Sequence, residues 1–312
     1  MKRLLALTVC AALLLCALCA CRVPPNTKKE KDTMKLLIIG NSHSIDAFHF
    51  LYDAFQDQLP EQKITLGVLH FSGCAISTHL QFATHNKPMY TYFLNTNGNW
   101  VITEENKMSR VLKDQRWDMV MFQAAKSDLD ETLNEAGRRG LEEYVRKYTA
   151  EDVRFLWHTS WPSPNDETFF LSAPEGYKEN LQRLYGFDPV NQFTVLTDMA
   201  KKHILTDSHY EKAVCTGAAI MHAHKNLGVP QTQLYRDHTH LSDFGRLTVA
   251  YAMYAQLTEN AVKSVGIHLI PAEKRHFMFQ ESGDLPITEE MQQTILKAAN
   301  HSLSDPWSVP GK

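Results

Sequence analysis

Short apolar runs alternate with helical periodicity along most of this chain. Residues 35–40 (KLLIIG) form a continuous apolar run ending in glycine, the pattern of a strand buried on both faces of a parallel sheet. Ala47, Phe48, Leu51, Phe55 and Leu59 then recur at helical spacing before Pro60, so the opening unit reads as strand, tight turn, helix. Further strands are expected over 63–70, 117–123, 153–161 and 212–217. Helical patterns fill most of the intervals, at 131–148, 191–206 and 218–227, and a final one covers 241–257. This alternation predicts a doubly wound α/β fold, a mostly parallel sheet flanked by helices. Residues 86–106 interrupt it, and Asn97-Gly98 between aromatic and β-branched residues predicts a hairpin insertion.

The first residues follow another pattern. Lys2 and Arg3 precede an apolar run over 4–18, and small residues lead on to Cys21: the n-region, h-region and cleavage site of an export signal. The run falls short of the ~20 apolar residues that a spanning helix needs. Leu18-Cys19-Ala20-Cys21 resembles a bacterial lipobox, in which the cysteine after the cut is lipidated and becomes the new N-terminus. The expected organisation is a lipoprotein signal peptide over 1–20, a solvated tether over 21–34, and one folded domain over 35–312. Of six cysteines, Cys10, Cys16 and Cys19 leave with the signal and Cys21 carries lipid, so only Cys74 and Cys215 remain. Two cysteines make no disulfide framework, and their spacing does not say whether they pair.

Composition narrows the class further. A chain of 312 residues with 44% hydrophobic and 21% charged residues can bury a large core, which excludes disorder, collagen and coiled coil. Lys plus Arg number 32 against 35 Asp plus Glu, a formal charge of -3, with no block of like charge. Nucleic acid is therefore not an expected partner.

Ligands of an open parallel sheet lie beyond the carboxyl ends of its strands, which draws attention to Ser42, Gly73, Gln123, Trp161 and Gly217. Ser42, in Gly40-Asn41-Ser42-His43-Ser44, stands on a turn that opens a helix, where a hydroxyl is exposed beside backbone N–H groups. Asn41, Ser42 and Ser44 also suit plain helix capping. Asp237 and His240 stand in a polar loop before the last helical pattern, at a spacing that lets the carboxylate reach the imidazole of its own turn. The Asp then holds one ring nitrogen as a donor and leaves the other to take a serine proton; the same residues also read as a solvated loop. Fifteen His raise a metal alternative through His222 with His224 and His238 with His240. No His-Glu-x-x-His occurs, and His-x-His in a helix splays its rings, so neither metal nor cofactor is expected. A glycan-binding protein without turnover, using Trp100, Trp157 and Trp161, is the other alternative.

Together these residues resemble the SGNH (GDSL-like) hydrolase superfamily, and within it a branch of secreted bacterial proteins with Gly-Asn-Ser in place of Gly-Asp-Ser. The likeness spans most of residues 35–258. It implies a flavodoxin-like three-layer architecture, with Ser42 as nucleophile, His240 as general base and acid, and Asp237 as its orienter. Gly73 in Phe71-Ser72-Gly73-Cys74 matches the second family block, and Gln123 in Met121-Phe122-Gln123-Ala124 the third. The resemblance thus implies an oxyanion hole made by Ser42, Gly73 and Gln123. Two positions depart from the pattern: Asn41 stands where Asp is common, and Gln123 is one methylene longer than the usual Asn. The implied activity is serine esterase chemistry through an acyl-enzyme, removing acetyl or other short acyl groups from carbohydrates. The expected location is the cell surface or periplasm, with the membrane reached through lipid on Cys21.

Overall fold

The structure, a computed structural model, describes residues 33–124, 135–275 and 283–310. The signal segment and Cys21 lie outside the described residues. In chain order the strands are β1 (Thr33–Gly40), β2 (Lys63–His70), β3 (Tyr90–Asn95), β4 (Trp100–Asn106), β5 (Met119–Gln123), β6 (Arg154–Thr159), β7 (Tyr210–Cys215), β8 (Leu269–Ile270) and β9 (Leu285–Pro286). The helices are α1 (Ser42–Phe48), α2 (Leu51–Gln58), α3 (Ile76–Thr84), α4 (Met108–Asp114), α5 (Glu135–Tyr148), α6 (Tyr177–Tyr185), α7 (Pro189–His203), α8 (Gly217–Lys225), α9 (Gln231–Leu234), α10 (Asp243–Thr258), α11 (Ala272–Arg275) and α12 (Glu289–Ser304).

Seven strands form one sheet in the order β4-β3-β2-β1-β5-β6-β7. β1 pairs in parallel with β5, β5 with β6, and β6 with β7. The expected hairpin is β3 and β4, which add to β2 as antiparallel edge strands. Helices cover both faces, so the three-layer α/β architecture is the observed one. On one face Leu36, Ile38, Leu66 and Met121 pack against α1, α2, α8, α10 and α12. The alternate positions Leu37, Ile39, Val120 and Phe122 pack against α3, α4 and α5 on the other, as the two-residue period of a strand requires.

Four details differ from the sequence reading. β1 begins at Thr33, so it takes in the last two residues assigned to the tether. The helical pattern ending at Leu59 is two helices, α1 and α2, parted at His49-Phe50, where His49 Nε2 donates to the Lys274 carbonyl at 2.8 Å. α10 is not the last helix: α12 packs on α10 and α8 through a thin stripe of Ile295, Ala298, Ala299 and Ser302. A stripe with so few large side chains gives a weak periodic signal. Finally, Trp157 and Trp161 are 4% and 0% exposed, so they are core side chains and offer no glycan-stacking face. Cys74 and Cys215 are both free and buried, in separate clusters.

Candidate active site

The chain runs from β1 to β2 on one side of the sheet and to β5 on the other, which makes the carboxyl end of β1 a crevice between strands that part. Ser42 stands there as the first residue of α1. The turn beneath it is held from several sides. Asn41 Oδ1 accepts from the His43 backbone N–H at 3.1 Å, capping the helix, and from His43 Nδ1 at 3.1 Å. Asn41 Nδ2 reaches the Cys74 carbonyl at 3.5 Å. An amide therefore organises this turn where the related pattern has a carboxylate. Gly40 is required by close approach: a Cβ there meets Ser44 Oγ at 2.2 Å and Gln123 Oε1 at 2.7 Å.

The structure brings Ser42, Asp237 and His240 together. Asp237 Oδ1 accepts the backbone N–H groups of Thr239 and His240 at 2.9 and 2.8 Å, which closes the Asp-x-x-His turn. Asp237 Oδ2 lies 2.8 Å from His240 Nδ1, and His240 Nε2 lies 2.8 Å from Ser42 Oγ. A carboxylate only accepts, so Nδ1 carries the hydrogen, and in the neutral ring Nε2 accepts the serine O–H. Burial pushes the Asp237 carboxyl up, but the bond and charge of His240 and the two N–H groups outweigh it and hold the acid well below the ordinary carboxylate range.

Around this line His43, 6% exposed, stacks on the His240 ring at 5.8 Å between centroids and meets Trp161 at 5.1 Å. Its Nε2 lies 3.2 Å from Thr239 Oγ1. Trp161 Nε1 donates to the Thr239 carbonyl at 3.0 Å, and Tyr177 O–H to Thr239 Oγ1 at 3.5 Å. The loop that carries His240 is thereby braced from β6's end and from α6.

The residues expected at an oxyanion hole divide. Among the described residues the Ser42 and Gly73 backbone N–H groups make no hydrogen bond, and Gly73 takes φ +61, the left-handed turn conformation that glycine allows without strain. Gln123 is different. Fully buried, it accepts from Asn41 N at 3.1 Å and from Ser44 Oγ at 2.9 Å through Oε1, while its Nε2 donates to the Ala124 carbonyl. The backbone donor on Asn41 fixes which way this amide faces. Gln123 thus ties the Ser42 turn to β5 through Oε1, with one Nε2 hydrogen directed at the Ala124 carbonyl. Of the histidines in the metal alternative, His222 stacks on His301 at 4.0 Å and His224 Nδ1 donates to the Val229 carbonyl at 2.9 Å.

Sequence reasoning missed the charges behind the site. Asp46, one turn after Ser42 and fully buried, accepts the Leu241 backbone N–H at 2.9 Å, Arg236 Nη1 at 3.1 Å and Arg246 Nε at 2.8 Å. Asp243 then joins Arg246 at 2.9 Å and Arg275 at 2.7 Å. One signal was available: α10 is apolar nearly all round, yet it carries Asp243 and Arg246, and charges on such a helix need buried partners.

Residues 35–268 match the model of the DUF4886 family, described as a domain of unknown function, and the chain belongs to that family. A DUF4886 family protein from Bacteroides uniformis ATCC 8492 has a similar structure, with a TM-score of 0.70 and 24% identity over 89% of this chain and 97% of that one. A gut microbial diltiazem-metabolizing enzyme superimposes at a TM-score of 0.42 with 14% identity, over 80% of this chain and 52% of that one; this chain thus spans about half that enzyme's length. None of the curated proteins matches.

Proposed function

Starting from a chain of the DUF4886 family, we propose that this protein is a serine esterase of SGNH type. The observation that carries the reading is the single imidazole of His240 held between Asp237 and Ser42, at 2.8 Å on each nitrogen. Ser42 Oγ attacks the ester carbonyl carbon while its proton passes to His240 Nε2. The oxyanion that forms sits against the Ser42 and Gly73 N–H groups. As it collapses, the C–O bond to the alcohol breaks and His240 returns the proton to the departing oxygen. Water then attacks the acyl-Ser42 ester, gives a proton to His240, and releases the carboxylic acid with Ser42 restored. Asp237 stays ionised and stabilises the imidazolium at each turn.

The substrate class follows from where such a chain works. With the apolar run over 4–18 and Cys21 read as an export signal and a lipid attachment site, the enzyme works as a lipid-tethered protein outside the cytoplasm, and its substrates are carbohydrates carrying acetyl or other short acyl groups. The test is fluorophosphonate labelling of the full chain with mass mapping of the modified residue. Label on Ser42, lost in Ser42→Ala and His240→Ala, is the expected result. Label elsewhere, or ester turnover retained by folded Ser42→Ala, overturns the reading.

A further inference from the structure

The candidate nucleophile and its base come from segments about two hundred residues apart in sequence, and packing of apolar side chains alone does not hold an imidazole to within a few tenths of an ångström of a hydroxyl. Asp46 joins the two. It belongs to the same short helix as Ser42, and its carboxylate takes up both flanks of the His240 turn: Leu241 N–H immediately after the histidine at 2.9 Å, and Arg236 immediately before Asp237 at 3.1 Å. Arg236 also donates to the Leu241 carbonyl and lies 3.8 Å from Asp237 Oδ2, so one guanidinium bridges the two acids. From behind, Arg246 donates to Asp46 at 2.8 Å and to Asp243 at 2.9 Å, and Arg275 completes the run at 2.7 Å.

Resting on the reading of Ser42, Asp237 and His240 as one ester-hydrolysing unit, we propose that Asp46 is a positioning residue that both aligns the His240 turn on Ser42 and balances the charge His240 experiences when it takes the serine proton. Three acids (Asp46, Asp237, Asp243) face three guanidinium groups (Arg236, Arg246, Arg275), so the network is neutral as a whole. Asp46 stays ionised within it: burial pushes its carboxyl up, but Arg246, Arg236 and His240 together with the Leu241 N–H bring it below the ordinary range. The other groups facing His240 are Ser42 and His43 from α1 and His70 at the end of β2, which burial pushes down to about 4, while Tyr177 reaches Thr239 of the same loop. In so desolvated a setting the loss of one charge from either side is felt at the ring.

A purely structural acid predicts slower reaction in a loosened enzyme and nothing more. The proposed role predicts displacements of opposite sign. Asp46→Asn keeps the shape but removes a negative charge, so the imidazolium is less favoured, and the pH midpoint at which fluorophosphonate labelling of Ser42 rises moves to lower pH. Arg236→Gln removes a positive charge beside Asp46 and Asp237, so that midpoint moves to higher pH. Each displacement is expected to be about half a pH unit or more, with labelling at the plateau slowed about tenfold or more in Asp46→Asn. The double variant returns the midpoint towards that of the parent.

The experiment measures labelling rate against pH for the full chain, for Asp46→Asn, Arg236→Gln and the double variant, with circular dichroism confirming the fold and Ser42→Ala as the control. Absence of label on the parent, or its persistence in Ser42→Ala, defeats the esterase reading itself. Label on Ser42 with midpoints that stay fixed, or that move in the same direction in both single variants, overturns the role of Asp46 while leaving that reading intact. Should Asp46→Asn fail to fold, Arg236→Gln, whose side chain is 12% exposed, decides the case alone: an alkaline displacement supports the proposal and an unmoved midpoint defeats it.

Discussion

Two buried ion networks in this molecule use nearly the same groups for different ends. One runs from Asp46 through Arg236 and Arg246 to Asp243 and Arg275. The other joins α5 to the turn ahead of β7: Arg138 and Arg139 meet Asp207 at 2.9 and 2.7 Å, Arg139 reaches Glu142 at 2.9 Å, and His209 Nδ1 lies 2.8 Å from the same Glu142 oxygen. Both offset part of the cost of burying charge by pairing it. They differ in what the partners are attached to. The second connects a helix to a strand entry and touches none of the candidate site residues, whereas the first grips the backbone on either side of Asp237 and His240. A buried ion pair is weak grounds for either stability or function until its attachments are known. Here the attachments predict that one network governs the pH dependence of reaction and the other only the stability of the fold.

The largest expected effect sharpens the site side of this contrast. Ser42→Ala and His240→Ala are each expected to lower kcat about 10⁴-fold or more, and the double variant to be little worse than either, because residues sharing one mechanism are not additive. Steady-state kinetics on a short-chain ester checks this, and additive losses would separate the two residues. On the other side, Arg138→Ala removes one of the two guanidinium partners of Asp207, which keeps Arg139, and is expected to cost about 1.5–3 kcal/mol of stability, measured by urea unfolding, with the pH midpoint of Ser42 labelling unmoved. A displaced midpoint there would erase the distinction between the networks.

Gln123 lies between these extremes, a buried polar group bonded to the turn that carries Ser42. Gln123→Met leaves the Asn41 N–H buried without an acceptor and is expected to cost about 1–3 kcal/mol and to lower kcat about tenfold through a slackened Ser42 turn, read by unfolding and turnover on the same preparations. Unchanged stability would show that the bond to Asn41 contributes nothing.

Acid stability gives the smallest effects. Burial pushes Asp207 up, but Arg138, Arg139 and the His209 N–H outweigh it and hold it at about 2. A depressed acid stabilises the fold above its unfolded value, and that contribution is lost as pH falls from about 4 towards 2. Asp207→Asn should therefore unfold less steeply across that window. Burial instead lowers His79 and His158 to about 3; between there and about 6.5 the unfolded chain binds protons that the folded chain refuses, so stability falls as pH drops through that range. His79→Phe removes one such histidine and should reduce the slope by about 1.4 kcal/mol per pH unit, measured by unfolding at pH 6 and pH 4.

Much of this molecule is legible in its one-dimensional pattern because the determinants are local. The two-residue and helical periods mark β1, β2, β5 and α10 through side chains that need only their own neighbours in sequence to declare a face. The Asp237–His240 pair is local in the same sense: a carboxylate three residues ahead of a histidine caps the turn that presents the ring to it. Ser42 is marked by its place at the end of the first strand.

What only the tertiary structure decided involves groups whose partners are far away in sequence. Gln123 stood at the expected strand end, but its role depends on which backbone donor lies opposite, and that donor is Asn41, 82 positions earlier. Asp46, seen alone, is a polar residue in a short helix. Its partners Arg236, Leu241 and Arg246 lie 190 to 200 positions away, and no local period encodes such pairings. The same holds for α12, whose thin apolar stripe acquires meaning only against α8 and α10. Periodicity reports which side of an element meets the core; the identity of a buried polar group's partner is set by how the elements cross, and so by the fold as a whole.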